Sequence, residues 1–199
     1  MRKSLKNKRN NAAFKFFENF LNALFKCEDE GLMDVYFFDE SGYSLAPNVP
    51  YGWVRINEDI LLPSSKSKNL SVLGFLNRAN DLHPYVVEGS VNSDVVLSCF
   101  DDFAENLTHP TVVIIDNAPS HTSKKFKAKI KGWAKKGLYV CNLPTYSPEL
   151  NIIEILWRFI KYEWINLDAY QSYEKLKTEV ERILKNVGGQ YRINFKTTT

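Results

Sequence analysis

Residues 111–116 read Thr111-Val112-Val113-Ile114-Ile115-Asp116, and residues 35–39 read Val35-Tyr36-Phe37-Phe38-Asp39. Each is a short, unbroken apolar run that stops at a carboxylate. Apolar runs of this length, without polar alternation, predict strands covered on both faces. A strand of that kind delivers the next residue to the C-terminal edge of a sheet, where α/β proteins build their sites. Two strands each hand an aspartate to such an edge, and the rest of the chain is read outward from that pairing.

Before Asp39, Ala13, Phe16, Phe17, Phe20, Leu21 and Leu24 recur at helical spacing, which predicts an amphipathic helix over 12–27. After it, residues 42–63 read as an extended hairpin or long loop with strand character at 51–56. Strands follow at 69–76 and 84–88, then a helix over 93–106 with Ser93 as its N-cap. Beyond Asp116 comes a lysine-rich helix closed by Gly137, and a strand over 138–143. Ser147 as N-cap and Pro148 at the first helical position open a helix that runs to about Trp164. A last helix spans 173–187, ended by Gly188 and Gly189. Three strands in succession, then helices alternating with strands, specify an α/β fold with a mixed sheet flanked by helices.

The 199 residues suit one domain to one and a half. A hydrophobic share of 44% with 25% charged residues excludes a disordered chain. No apolar run approaches the roughly 20 residues of a membrane span, and the basic N-terminus leads into a Phe-rich amphipathic stretch rather than a signal-peptide core. Cys27, Cys99 and Cys141 form neither a disulfide framework nor a zinc box, which points to a reducing, cytoplasmic compartment. A net charge of only +3 means that nucleic-acid affinity must come from local clusters. There are two: Arg2, Lys3, Lys6, Lys8 and Arg9, and Lys124, Lys125, Lys127, Lys129, Lys131, Lys135 and Lys136. Each reads either as a solvated face or as a row of phosphate contacts.

Glu154 is the one acid within the apolar stretch 152–157. It is expected on the sheet-facing stripe of its helix, where a lone carboxylate is costly. Three carboxylates brought together would repel. Mg²⁺ or Mn²⁺ relieves that, because these hard ions take oxygen ligands and keep positions open for phosphate. Two such ions about 4 Å apart perform phosphodiester chemistry. The plain alternative leaves Asp39 and Asp116 as turn residues and Glu154 in solvent.

Two blocks make the pattern recognisable: 116–121, Asp-Asn-Ala-Pro-Ser-His, and 143–157, Leu-Pro-Thr-Tyr-Ser-Pro-Glu-Leu-Asn-Ile-Ile-Glu-Ile-Leu-Trp. With Phe38-Asp39-Glu40-Ser41, they resemble the DDE transposases of the IS630/Tc1/mariner superfamily, nearest its IS630 branch, over about residues 33–187. Asp39 and Asp116 are 77 residues apart and Asp116 and Glu154 are 38 apart, spacings within that family's range. The resemblance implies an RNase H-like, five-stranded sheet and a DDE triad of Asp39, Asp116 and Glu154 holding two Mg²⁺ or Mn²⁺ ions. It implies an enzyme that cuts DNA at transposon ends and joins the freed 3′-hydroxyl to target DNA.

Within these motifs Asn117, His121 and Asn151 are expected to brace the triad, with capping or core roles as the alternative. Trp157 is expected in the core, and Glu40, turned to the opposite side by strand alternation, in a structural role. Arg158 and Lys161 share the face of Glu154 and, with Lys124, Lys125 and Lys127, are candidates for DNA contact. Trp53 and Arg55 fall where relatives carry an insertion that pairs subunits or grips DNA. Ile152 replaces a common Pro, a change expected to be harmless because Pro148 has already started the helix.

The expected organisation is a basic arm and helix over 1–31, a catalytic domain over 32–187 and a tail over 188–199. Relatives normally carry helix-turn-helix modules ahead of the catalytic domain, and no second helix of such a module is legible before Asp39. The reading is therefore a catalytic domain that acts on DNA in the nucleoid-associated cytoplasm, as a homodimer, with end recognition either missing or supplied by a separate helix-turn-helix chain. The competing readings are a non-transposing remnant that binds DNA, and a stand-alone RNase H-like nuclease.

Overall fold

Strand alternation divides the β1 side chains between two cores. In the computed structural model, which describes residues 8–46 and 68–195, β1 (Asp34–Tyr43) sends Val35 and Phe37 to one face and Tyr36 and Phe38 to the other. The expected strand at 51–56, with Trp53 and Arg55, and the arm residues Arg2, Lys3 and Lys6 lie outside the described residues.

The sheet order is β3-β2-β1-β4-β5. β2 (Leu70–Asn77) and β3 (Leu82–Glu88) add to β1 antiparallel, while β4 (Thr111–Ile115) and β5 (Leu138–Asn142) extend it in parallel. This is a mixed five-stranded α/β sheet flanked by helices. All five side chains of β4 are buried, as a strand covered on both faces requires.

On one face lie α2 (Ser93–Glu105) and α3 (Lys124–Ala134), over an aromatic core of Phe38, Phe75, Phe100, Phe103, Phe126 and Trp133. Phe75 and Phe103 stack with centroids 4.0 Å apart, and Trp133 donates its indole N–H to Asp101 at 2.8 Å. Buried aromatics of this size contribute about 1.5–3 kcal/mol each. The opposite face carries α1 (Asn11–Asp29), α4 (Ile153–Phe159) and α5 (Tyr173–Lys185). Phe17, Leu21 and Leu24 of α1 are buried there, whereas Phe16 and Phe20 of the expected apolar stripe face outward. Arg78, in the β2–β3 turn, clamps Glu28 and Asp29 at the end of α1.

Two helix starts differ from expectation. The cap of α2 is Asn92, whose side chain accepts from the amides of Asp94 and Val95, one residue ahead of Ser93. Ser147 and Pro148 open only a single 3₁₀ turn, Pro148–Leu150, and Ser147 makes no capping hydrogen bond. The chain then turns extended at Asn151, and α4 proper starts at Ile153. Pro148 therefore does not start the helix that carries Glu154. Past Phe159 the helix widens into a π turn, Ile160–Trp164, a local insertion often found beside functional sites. A 3₁₀ turn at Leu167–Gln171, not foreseen, precedes α5.

Candidate active site

The parallel register of β1 and β4 pairs Val35 with Val112 and Phe37 with Ile114. Asp39 lies two residues further along β1 and Asp116 directly follows the end of β4, so the register carried past β4 sets the two side by side. Asp39 shares the side-chain parity of Phe37 and so belongs to the face that carries α4, and Asp116 lines a hollow together with Glu154 of that helix. Neighbouring strands lie about 4.8 Å apart, so two carboxylates share one patch of sheet edge.

Asn151 joins that edge to the third acid. Its Nδ2 reaches the carbonyl of Phe38, the residue before Asp39, at 3.5 Å, and its own carbonyl accepts from the Glu154 amide at 3.2 Å. It is buried. The sheet-facing residues of α4 are Ile153, Leu156 and Trp157, so Glu154 sits beside that stripe and not on it, open to solvent along one side. It borders two adjoining hollows, one of about 470 Å³ shared with Asp39, Arg158 and Lys161, the other of about 390 Å³ shared with Asp116 and Asn117. Among the described residues no three His, Cys, Asp or Glu side chains converge tightly enough to enclose an ion unaided. The acids are neighbours lining one cleft rather than a closed cage.

The electrostatics separate their roles. Burial pushes the Asp39 carboxyl up to about 7, and the charges of Asp116 and Glu154 push in the same direction against its hydrogen bond to the Glu40 amide. Glu154 is also raised, first by loss of water and then by Asp116 and Glu149. Asp116 goes the other way: the hydrogen bond from His121 holds it below the usual carboxylate range, helped by the Ala118 amide and opposed by burial.

Both of those bonds fall on one oxygen. His121 Nδ1 lies 2.6 Å from Asp116 Oδ1, and the Ala118 amide donates to the same atom at 3.0 Å. Oδ2 takes no part in them. His121 is buried, and its Nε2 lies 3.6 Å from Glu40 Oε1, too far for a hydrogen bond and within ion-pair reach. Burial alone would lower the His121 pKa, but its hydrogen bond to Asp116 and the nearby charge of Glu40 carry it up to about 9. Glu40 has the opposite strand parity to Asp39, and alternation accounts for its approach to His121 from the other face.

Asn117 donates to the Leu143 carbonyl at 2.6 Å, tying the end of β4 to the loop that carries Tyr146 and Ser147. Trp157 is buried, and its indole nitrogen has no hydrogen-bond partner among the described residues. Lys161 lies over the Tyr43 ring, 5.3 Å from its centroid; burial holds its pKa below the lysine range, against the pull of Asp39. Lys124, Lys125 and Lys127 are exposed on α3, across the sheet from α4. Lys125 pairs with Asp94 of α2 at 2.8 Å, and Lys129 and Lys136 pair with Asp101 and Glu105 of the same helix. The signal for those pairs was visible as acids spaced along 94–105, but only packing shows which lysines they meet.

The donor set suits a hard divalent cation. Three carboxylates offer only oxygen, and two of them carry raised pKa values, first from burial and then from the neighbouring acids, which a bound cation would offset. Oδ2 of Asp116, with Asp39 and Glu154, would be the ligating groups, and His121 would fix the orientation of Asp116 from behind.

A protein of Sinorhizobium fredii (strain NBRC 101917 / NGR234), described as uncharacterized protein y4pE/y4sA, is 30% identical over 67 residues, covering 34% of this chain and 45% of that protein. The crystal structure of the catalytic domain of Mos1 mariner transposase superposes with a TM-score of 0.58 at 13% identity, over 93% of this chain and 85% of that one. The Mos1 mariner paired-end complex with Mn superposes with a TM-score of 0.59 at 15% identity, over 93% and 56%. These likenesses show a shared RNase H-like fold. The chain spans about half the length of the Sinorhizobium protein and of the Mos1 chain in that complex. The profile described as DDE superfamily endonuclease matches residues 34–177, most of the chain and all three acids, and the chain belongs to that family.

Proposed function

We propose that this chain is the catalytic domain of an IS630-like DDE transposase, with the catalytic body over about residues 32–187. The observation that supports this reading is the nearness of Asp39, within β1, to Asp116, just past the end of the parallel strand β4, with Glu154 bordering the same cleft beside the Asn151 link. Its substrate is DNA, at transposon ends and at the target, and the protein works as a homodimer because two ends must be joined together.

Asp39, Asp116 and Glu154 hold two divalent ions, Mg²⁺ or Mn²⁺, which when bound activate an attacking hydroxyl and stabilise the departing 3′-oxygen. The protein's own task is positioning. His121 and the Ala118 amide anchor one oxygen of Asp116, so that the other keeps a fixed direction. Asn151 holds β1 and α4 in register. Arg158 and Lys161 stand on the Asp39 side of the cleft, where a phosphodiester backbone needs cations.

The test is nicking of supercoiled DNA bearing terminal repeats, with Mg²⁺ or Mn²⁺ and without. Cleavage is expected only with the ion, and Asp116→Asn, Asp39→Asn and Glu154→Gln are each expected to lower it by about 10³-fold or more. Folded, DNA-binding protein that never cuts in either ion would overturn the reading.

A further inference from the structure

Tyr146 occupies the left-handed region, with φ of +59°, in the loop between β5 and the Pro148 turn. For a bulky aromatic residue that conformation costs energy and persists only where its surroundings enforce it. Among the described residues the other non-glycine residue in this region is Asn80, with φ of +67°. Asn80 is buried, and its side chain donates to the Ile193 carbonyl and accepts from the Ile193 amide, at 2.9 and 2.7 Å. Its conformation secures the chain's return past the β2–β3 turn. Tyr146 has no such compensation. It is 46% exposed, and among the described residues neither its ring nor its hydroxyl has a hydrogen-bond or ring partner.

The loop around it is braced from both ends. The Leu143 amide donates to Ile115 at 2.8 Å, Asn117 holds the Leu143 carbonyl, and buried Ser147 bonds Thr145 at 3.4 Å. Strain is thus maintained to keep an aromatic ring projecting beside the acids.

Glu154 divides the cleft into two chemically different arms. The Asp39 arm carries Arg158 and Lys161. Among the described residues the Asp116 arm has no cation; apart from Asp116 and Glu154 its wall is uncharged, with Leu143, Pro144, Tyr146 and Pro148 as its apolar part. A phosphate backbone belongs in the first arm. The second fits a flat, uncharged, partly apolar group, and on DNA that group is a base. We propose that the Asp116–Glu154 arm is a nucleobase subsite, in which Tyr146 stacks on an unpaired base next to the phosphodiester that is cut. This rests on the DDE endonuclease reading and adds to it that the strand end must be unpaired for the chemistry.

The test uses a duplex carrying 2-aminopurine at its 3′ end, either opposite a partner base or unpaired, titrated with the protein in Ca²⁺. The expected result is fluorescence quenching on the unpaired end, with binding about 5- to 150-fold tighter than to the paired end. Tyr146→Phe keeps both effects. Tyr146→Gly loses both while melting at the same temperature or higher, because glycine adopts positive φ without strain. Quenching and preference that survive in Tyr146→Gly would overturn the subsite. Plasmid nicking by the wild type is read in parallel. Nicking without quenching overturns the subsite alone; absence of nicking in both Mg²⁺ and Mn²⁺ overturns the endonuclease reading and the subsite with it.

Discussion

Gly74 of β2 stands directly opposite Asp39 of β1 in the antiparallel register. A Cβ at Gly74 would lie 3.2 Å from the tip of the Trp157 ring, 3.2 Å from Leu82 and 3.5 Å from Ile153. The missing side chain therefore lets α4 settle onto the sheet next to Asp39, which brings Glu154 within reach. Gly74→Ala is expected to destabilise the fold by about 1–3 kcal/mol through overpacking. Because the displaced element carries Glu154, nicking is expected to fall further than the loss of stability explains. Thermal melting alongside nicking at a temperature where the variant is fully folded checks this.

His121 grips the oxygen of Asp116 that faces away from the proposed ligand position. His121→Ala is expected to raise the Mn²⁺ concentration for half-maximal nicking by about 10- to 100-fold, with a smaller loss at saturating ion. Glu40→Gln, which loosens only the far side of the imidazole, is expected to shift it less. Titration of activity against Mn²⁺ separates this from a folding defect, which would lower the plateau instead.

The ion-free protein is expected to lose stability as pH rises. The Asp39 pKa in the fold, about 7, stands above its ordinary value of 3.8. Folding thus favours its protonated form, and that contribution fades as pH climbs from about 4 through 7. His121, carried up to about 9 from 6.5, adds stability that is complete below about 6.5 and disappears as pH passes 9. Asp39→Asn is expected to flatten the lower window and to stabilise the ion-free protein at pH 8 by on the order of 2 kcal/mol. It should also abolish the stabilisation that Mg²⁺ or Mn²⁺ confers. Chemical denaturation across pH 4–9 in a chelator measures both windows.

DNA affinity is expected to reside on the cleft side. Arg158→Ala combined with Lys161→Ala should weaken binding and reduce the slope of log affinity against log salt by about 2. Lys129 and Lys136, each held by an acid of α2, should affect the slope little when changed to Ala. Exposed pairs of this kind contribute about 0–1 kcal/mol to stability, so those variants should also fold normally. Salt-dependent binding to a short duplex distinguishes the two sets.

Much of the fold was legible because its signals are local. β4 stops just before Asp116 as expected, whereas β1 runs on past Asp39 to Tyr43 because it stays paired with β2; Gly137, with φ of +88°, follows the lysine helix. The errors came where a local signal was outweighed. Ser147–Pro148 has the composition of a helix start, yet Asn151 is drawn into the link to Phe38, and that tertiary bond ends the first turn after three residues. The run of lysines after Ser123 looked uniform, and only the packing of α3 against α2 shows that Lys125, Lys129 and Lys136 are paired.

Sequence by itself pointed to the acids proposed for the site, and determined the order of the elements that carry them and the family to which the blocks at 116–121 and 143–157 point. Those features depend on residue type and on short periodicities, both written directly in the chain. Tertiary structure alone decided that Gly74 admits Trp157 beside Asp39, that His121 bridges Asp116 and Glu40 from opposite strand parities, and that Tyr146 is held at positive φ on an uncharged wall. Each of these joins residues far apart in the chain, and such contacts are set by strand register and helix packing, which exist only once the sheet has formed.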